Sequence, residues 1–257
     1  MQITSVCIWK VLGWVGIDMS LNDVCAYVPT WFGVLATLFL GLLARECSGS
    51  WNAGLAAAGI MAIIPAHIMR SVGGGYDNES VAVTAMCSTF YFWVRSLRNE
   101  NSWPFGIAAG LAYIYMVAAW GGYVFVLNLV GIHAITLVFV GRHSTKLQRA
   151  YTLFYIIGTA GAVQVPVVGW TPLKSLEQLG PLGVLVILQL MEYCETQRRK
   201  RDLTDQEVNA LRVKVFLGTA GAGIAAGFLL LPTGYFGPLF ARARGLFVQH
   251  TKNGKQL

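Results

Sequence analysis

The chain has 257 residues, a formal net charge of +7, and is 55% hydrophobic but only 12% charged, where a soluble domain carries about 25% charged residues. Its apolar residues come in runs of roughly 15 to 20 positions, enough to cross a hydrocarbon layer about 30 Å thick, which excludes a soluble domain. The basic residues stand in short clusters between those runs with no aromatic-laced basic surface, which excludes nucleic acid as a partner.

No stretch alternates apolar and polar residues as a membrane barrel strand does. Lipid leaves an open backbone nowhere to place its hydrogen bonds, so the spanning element is the helix. The expected fold class is therefore all-α, a polytopic transmembrane helical bundle of about eight spans joined by short loops. Residues 1–23 carry Lys10 inside an apolar run and lack a small-residue cleavage site, so they make a poor signal peptide. A first span, an interfacial helix and the end of a preceding loop all remain open for them.

The core, residues 24–231, divides into spans at Val24 to Leu43, Trp51 to Ile68, Val81 to Val94, Pro104 to Ala119, Tyr123 to Val140, Tyr151 to Val168, Leu182 to Tyr193 and Val215 to Leu231. The run from Pro104 to Val140 is too long for one crossing, and the Gly121-Gly122 pair is the natural turn within it. The segment ETQRRKRDLTDQEV reads as a solvated loop. Residues 232–257 are mixed and basic, and read as the start of an external loop that is cut short.

Alternate connections differ in charge. One side receives Arg45, Arg95, Arg98, Arg142, Lys146, Arg149 and the Arg198-Arg199-Lys200-Arg201 cluster with Arg212 and Lys214, the other only Arg70 and Lys174 before the tail, so the first side is cytoplasmic. The connection from Arg70 to Ser80 then faces the lumen or exterior. Five cysteines show no paired spacing and read as small apolar fillers.

That connection carries the most informative residues, Arg70-Ser-Val-Gly-Gly-Gly-Tyr76-Asp77-Asn78-Glu79-Ser80. Glycines admit backbone conformations closed to other residues and allow a close ligand. Carboxylates two positions apart do not share a helical face, but in an extended or turned segment both can converge on one hard divalent cation. Arg70, with its rigid fork, suits a phosphate or a peptide carbonyl. Helix capping and dipole pairing explain acidic residues at a helix start equally well. A third ligand must come from elsewhere; Asp18 and Asp23 are the nearest candidates, though interface or cap roles also fit them. Asn78-Glu79-Ser80 formally matches a glycosylation acceptor. Trp120-Gly-Gly-Tyr123 reads as an anchoring turn or a ligand contact, and His67 and His133 as buried hydrogen-bonding residues.

Three segments resemble the catalytic subunit of the eukaryotic oligosaccharyltransferase, the STT3 family. They are Arg70-Ser-Val-Gly-Gly-Gly-Tyr-Asp77-Asn-Glu79, Ala119-Trp-Gly-Gly-Tyr-Val-Phe-Val-Leu-Asn128 and Gln164-Val-Pro-Val-Val-Gly-Trp-Thr-Pro-Leu-Lys-Ser. The likeness runs in order from about Leu21 to Gly237. It implies transfer of an oligosaccharide from dolichyl diphosphate to asparagine of Asn-X-Ser/Thr, by a multi-pass protein of the endoplasmic reticulum membrane whose acidic motif is lumenal. It also implies that Asp77 and Glu79 are the catalytic acidic residues that contact Mg²⁺ or Mn²⁺, and that Arg70 lies beside the acceptor polypeptide. Membrane lipids and other oligosaccharyltransferase subunits are the further implied partners.

Ser80 stands where the family usually has glycine. The family's first acidic motif, its Ser-Val-x-Glu and WWDYG motifs and its lipid-carrier arginine are not found. The expectation is a central membrane fragment, inactive as the isolated chain. A non-catalytic membrane scaffold of a glycosylation complex and a transporter or lipid-carrier protein are the alternatives from other classes.

Overall fold

The computed structural model describes residues 1–202 and 204–230, and among these every regular element is helical. The chain divides into two compact units, residues 1–169 and 170–257. The first holds α1 (Gln2–Val15), α2 (Leu21–Ser48), α3 (Trp51–Ile63), α4 (Pro65–Arg70), α5 (Glu79–Ser96), α6 (Phe105–Ala119), α7 (Tyr123–Phe139) and α8 (Thr145–Gln164). The second holds α9 (Thr171–Lys174), α10 (Leu176–Arg201) and α11 (Asp205–Leu230).

Local chemistry sets the boundaries. Ser20 caps α2: its hydroxyl accepts from the Asp23 amide at 3.2 Å and donates to the Asp23 carboxylate at 2.7 Å, so Asp23 is a capping residue. Gly16 and Gly49 close α1 and α2 in left-handed conformations. The stretch Trp51 to Ile68, expected as one span, is two helices, because Pro65 has no amide proton to continue the ladder and holds Ile64 extended. The glycine pair divides α6 from α7 as expected.

The basic run ETQRRKR, expected as loop, continues α10 to Arg201. Four cations there complement the helix C-terminus, and the break comes at Asp202 in a left-handed conformation. A capping box then starts α11. The Thr204 amide and hydroxyl both donate to Glu207, at 2.9 and 2.8 Å, and hold its carboxyl below the usual carboxylate range. Among the described residues two runs, Leu21–Ser48 and Glu100–Ala119, are long and apolar enough to cross a membrane, fewer than the eight segments read from the sequence. The expected tail 232–257 lies outside the described residues.

In the first unit α2 and α5 run parallel. The Thr84 hydroxyl donates to the Phe32 carbonyl at 2.6 Å in the first half of each, and Arg95 reaches Glu46 at 3.2 Å near their ends. Helices α6 and α8 also run parallel, Gly106 against Ala150, Gly110 against Phe154 and Ile157, and Gly158 against Tyr113. A side chain on Gly106 would stand 2.6 Å from the Ala150 carbonyl oxygen, so glycine is what lets these backbones meet. Trp93, Tyr113, Tyr151 and Phe154 fill the space between α5, α6 and α8 with tilted and edge-on ring contacts.

This arrangement gives the unit two ends. One gathers the starts of α2, α5 and α7 with the ends of α4 and α6. The other gathers the ends of α2, α5 and α7 with the starts of α6 and α8. Arg70 lies at the first end; Arg95, Arg98, Arg142 and Lys146 lie at the second, the sorting that the charge count anticipated.

Candidate active site at the Arg70–Glu79 connection

The connection from α4 to α5 is held against the start of α2. The Gly74 amide donates to the Ala26 carbonyl at 2.9 Å, and the Thr30 hydroxyl donates to the Ser71 carbonyl at 3.3 Å. Gly74 has φ +85°, a conformation that L side chains rarely adopt, and open space surrounds its missing Cβ. Gly74→Ala is therefore expected to strain backbone alone, at about 1–2 kcal/mol, and to loosen the connection. Proteolysis confined to residues 71–78 in the variant checks it.

Two further ties complete the frame. Tyr76 pairs its hydroxyl with Ser5 of α1 at 2.9 Å, and burial pushes its phenol up. The Asn78 amide donates to the Ala119 carbonyl, joining the start of α5 to the end of α6. With that amide engaged and Ser80 buried, Asn78-Glu79-Ser80 is a structural junction rather than an open glycosylation acceptor.

The framed residues are those singled out from sequence. Glu79 is the first residue of α5, whereas Asp77 precedes the Asn78 cap instead of lying in the first helical turn. The turn brings both carboxylates to Nη1 of Arg70, Glu79 at 2.5 Å and Asp77 at 3.7 Å. Asp77 and Arg70 are each about half exposed, Glu79 a third. Two hard oxygen donors that meet at one point of positive charge fit a divalent cation, and they supply two of the six or more oxygens such an ion takes. Among the described residues no group of three His, Cys, Asp or Glu side chains gathers, so neither Asp18 nor Asp23 joins them.

Beside Glu79 opens a cleft of about 340 Å³, lined by Val83 and Met86 of α5, Met116 of α6, Trp120 just past its end and Phe125 of α7. Trp120 lies across Gly122, whose Cβ would stand 2.1 Å from the indole ring. Sequence reasoning placed Trp120 at a turn but missed this apolar wall. Its only sequence signal was an aromatic followed by two glycines.

Residues 2–253 match the family described as Oligosaccharyl transferase STT3, N-terminal. The chain belongs to the STT3 family. It is 40% identical over 193 residues to the dolichyl-diphosphooligosaccharide–protein glycosyltransferase subunit stt3 of Schizosaccharomyces pombe, covering 75% of this chain and 25% of that protein. The corresponding Saccharomyces cerevisiae subunit is 36% identical over 92% of this chain and 31% of its own length. The chain thus spans about a quarter to a third of these STT3 relatives.

Among solved structures, the Archaeoglobus fulgidus oligosaccharyltransferase AglB, in complex with an inhibitory peptide and a dolichol-phosphate, superposes with TM-score 0.58 at 18% identity, over 97% of this chain and 31% of that one. The same organism's oligosaccharyltransferase in complex with Zn and sulfate gives 0.56 at 20% identity, over 94% and 34%. At that identity the likeness concerns the STT3 fold.

Proposed function

We propose that this chain is the membrane core of an oligosaccharyltransferase, with Asp77 and Glu79 supplying part of an Mg²⁺ or Mn²⁺ site where the sugar is transferred. The observation that carries the reading is the convergence of the two carboxylates at Arg70, with Glu79 also lining an apolar cleft. An acidic pair suits a cation set against a diphosphate, and the cleft suits the isoprenoid chain joined to it.

In the proposed reaction the side-chain nitrogen of a sequon asparagine bonds to the anomeric carbon of the donor sugar. The bond from that carbon to the diphosphate oxygen breaks, dolichyl diphosphate leaves with the bonding electron pair, and the proton given up by the amide nitrogen passes to the departing diphosphate or to solvent. A divalent cation supplies positive charge against the leaving diphosphate. Asp77 and Glu79 bind and orient it through their oxygens, and Arg70, once released from them, offers its fork to an acceptor peptide carbonyl or a phosphate. Val83, Met86, Met116 and Phe125 receive the apolar chain and exclude water from the side of Glu79.

The same reading makes the apolar segments eight spans, several of them short, tilted or broken as at Pro65. It sets the Arg70–Glu79 end in the lumen of the endoplasmic reticulum and the basic end in the cytoplasm. Exposed Val34, Leu55, Ile60 and Ile132 then face lipid, leaving other faces of the bundle for further subunits.

The test is transfer from dolichyl-diphosphate oligosaccharide to an Asn-X-Thr peptide by the assembled enzyme containing this chain. Expected are product with that peptide, none with Gln-X-Thr, loss on chelation and recovery with Mn²⁺. Transfer indifferent to chelation contradicts the metal assignment, and no transfer under any condition contradicts the activity.

A further inference from the structure

The opposite end of the first unit holds a second constellation. Helix α5, 18 residues long, separates it from Glu79 by about 27 Å. There a cavity of about 530 Å³ opens among the ends of α2, α5 and α7 and the start of α8, lined by Arg98, His133, Leu137, Arg142, His143 and Lys146.

Its charge is unbalanced. Glu46, 3% exposed, receives both Arg95 at 3.2 Å and Arg98 at 3.0 Å, so one buried carboxylate faces two guanidinium groups. Lys146 reaches Glu100 at 3.1 Å, but Glu100 is 78% exposed, where an ion pair is weak. Arg142 has no carboxylate within 4.0 Å among the described residues. In the lining, Arg98, Arg142 and Lys146 thus stand with Glu46 and Glu100, and Arg95, which pairs with Glu46 from outside the lining, brings the tally to four cations against two carboxylates.

The neutral groups point the same way. Trp93 donates its indole N–H to Nδ1 of His133 at 3.0 Å, which makes Nδ1 the acceptor and leaves the ring proton on Nε2. His133 therefore brings a further donor to the cavity wall. The start of α8, capped by Ser144, adds the positive end of a 20-residue helix. A wall so rich in donors calls for a ligand with several acceptor oxygens and negative charge, which describes a phosphate.

The rest of the lining says what carries it. Val94, Leu97 and Leu137 bring apolar surface into the same cavity, and Phe139 and Val140 at the adjoining end of α7 are 83% and 66% exposed. We propose that this cavity holds the phosphate of an anionic membrane lipid, its acyl chains lying along the end of α7. A basic pocket between helix ends at the membrane face is a setting in which lipid head groups bind.

The test uses the whole chain purified in neutral detergent, with native mass spectrometry counting adducts of dioctanoyl phosphatidic acid, dioctanoyl phosphatidylcholine and inorganic phosphate. Expected is one phosphatidic acid retained by the unaltered chain, with affinity lowered about tenfold or more in the paired variant Arg142→Gln, Lys146→Gln. Arg142→Lys, which keeps the charge, retains it, and Lys10→Gln at the other end changes nothing. The variants must match the parent in thermal transition, which separates a lost site from a lost fold. Preference for inorganic phosphate over phosphatidic acid overturns the lipid assignment. Equal retention by the parent and the paired variant overturns the site.

Discussion

Asp77→Ala and Glu79→Ala are each expected to lower oligosaccharide transfer by about 100-fold or more, and to raise the Mn²⁺ concentration needed for half-maximal rate. The two carboxylates meet at Arg70 because the backbone turns between Val72 and Asp77, the Gly75 amide donating to the Val72 carbonyl at 3.1 Å and the Asp77 amide to the Gly75 carbonyl at 2.7 Å, just ahead of the Asn78 cap. Removing either leaves a lone oxygen donor group beside Arg70, which then pairs with the survivor without competition. Asp77→Glu keeps the charge but lengthens the reach, and should recover part of the rate at high Mn²⁺. The checks are transfer rates across an Mn²⁺ titration in the assembled enzyme. A fall in rate with an unchanged Mn²⁺ requirement would move these residues from cation binding to framing of the loop.

The second large effect is on stability. Gly106→Ala adds one methyl group 2.6 Å from the Ala150 carbonyl oxygen and 3.1 Å from its Cα, both backbone atoms that no rotamer change can clear. Helices α6 and α8 must separate, and with them the ring contacts of Tyr113 and Phe154. The expected cost is about 1–3 kcal/mol, read as an earlier loss of the monodisperse peak on heating in detergent. Gly59→Ala, on the exposed face of α3 with open space around it, is the control and should leave the transition unmoved or slightly raised. Equal behaviour of the two variants contradicts the close crossing of α6 and α8.

The sequence made the helices legible because lipid-length apolar runs admit no other backbone, and the Gly121-Gly122 turn was legible because two adjacent glycines interrupt such a run. Pro65 was passed over: it sits inside an unbroken apolar stretch, where composition hides a missing amide. The extension of α10 through Arg198 to Arg201 was hidden for the opposite reason, since charged residues without periodicity look like loop although arginine and lysine form helix well.

At the site, Asp77, Glu79 and Arg70 stood out as residue types beside three glycines. Their convergence did not, because it depends on the left-handed turn at Gly74 and on the tether from Asn78 to Ala119, a contact 41 positions distant in sequence. The cleft beside Glu79 was less legible still, its wall coming from three helices whose apolar residues look alike. The likeness to the family supplied the chemistry; the fold supplies the meeting point of carboxylates, arginine and apolar cleft.

Asp77 and Glu79 are expected to exchange Arg70 for a divalent cation, and electron paramagnetic resonance of Mn²⁺ tests that exchange without reference to turnover. Added to the purified assembled enzyme, Mn²⁺ should lose its free six-line signal as it binds, and Asp77→Asn with Glu79→Gln should restore that signal, while Arg142→Gln with Lys146→Gln leaves binding intact. Mn²⁺ held as tightly by the doubly neutralised acidic pair as by the parent contradicts the account.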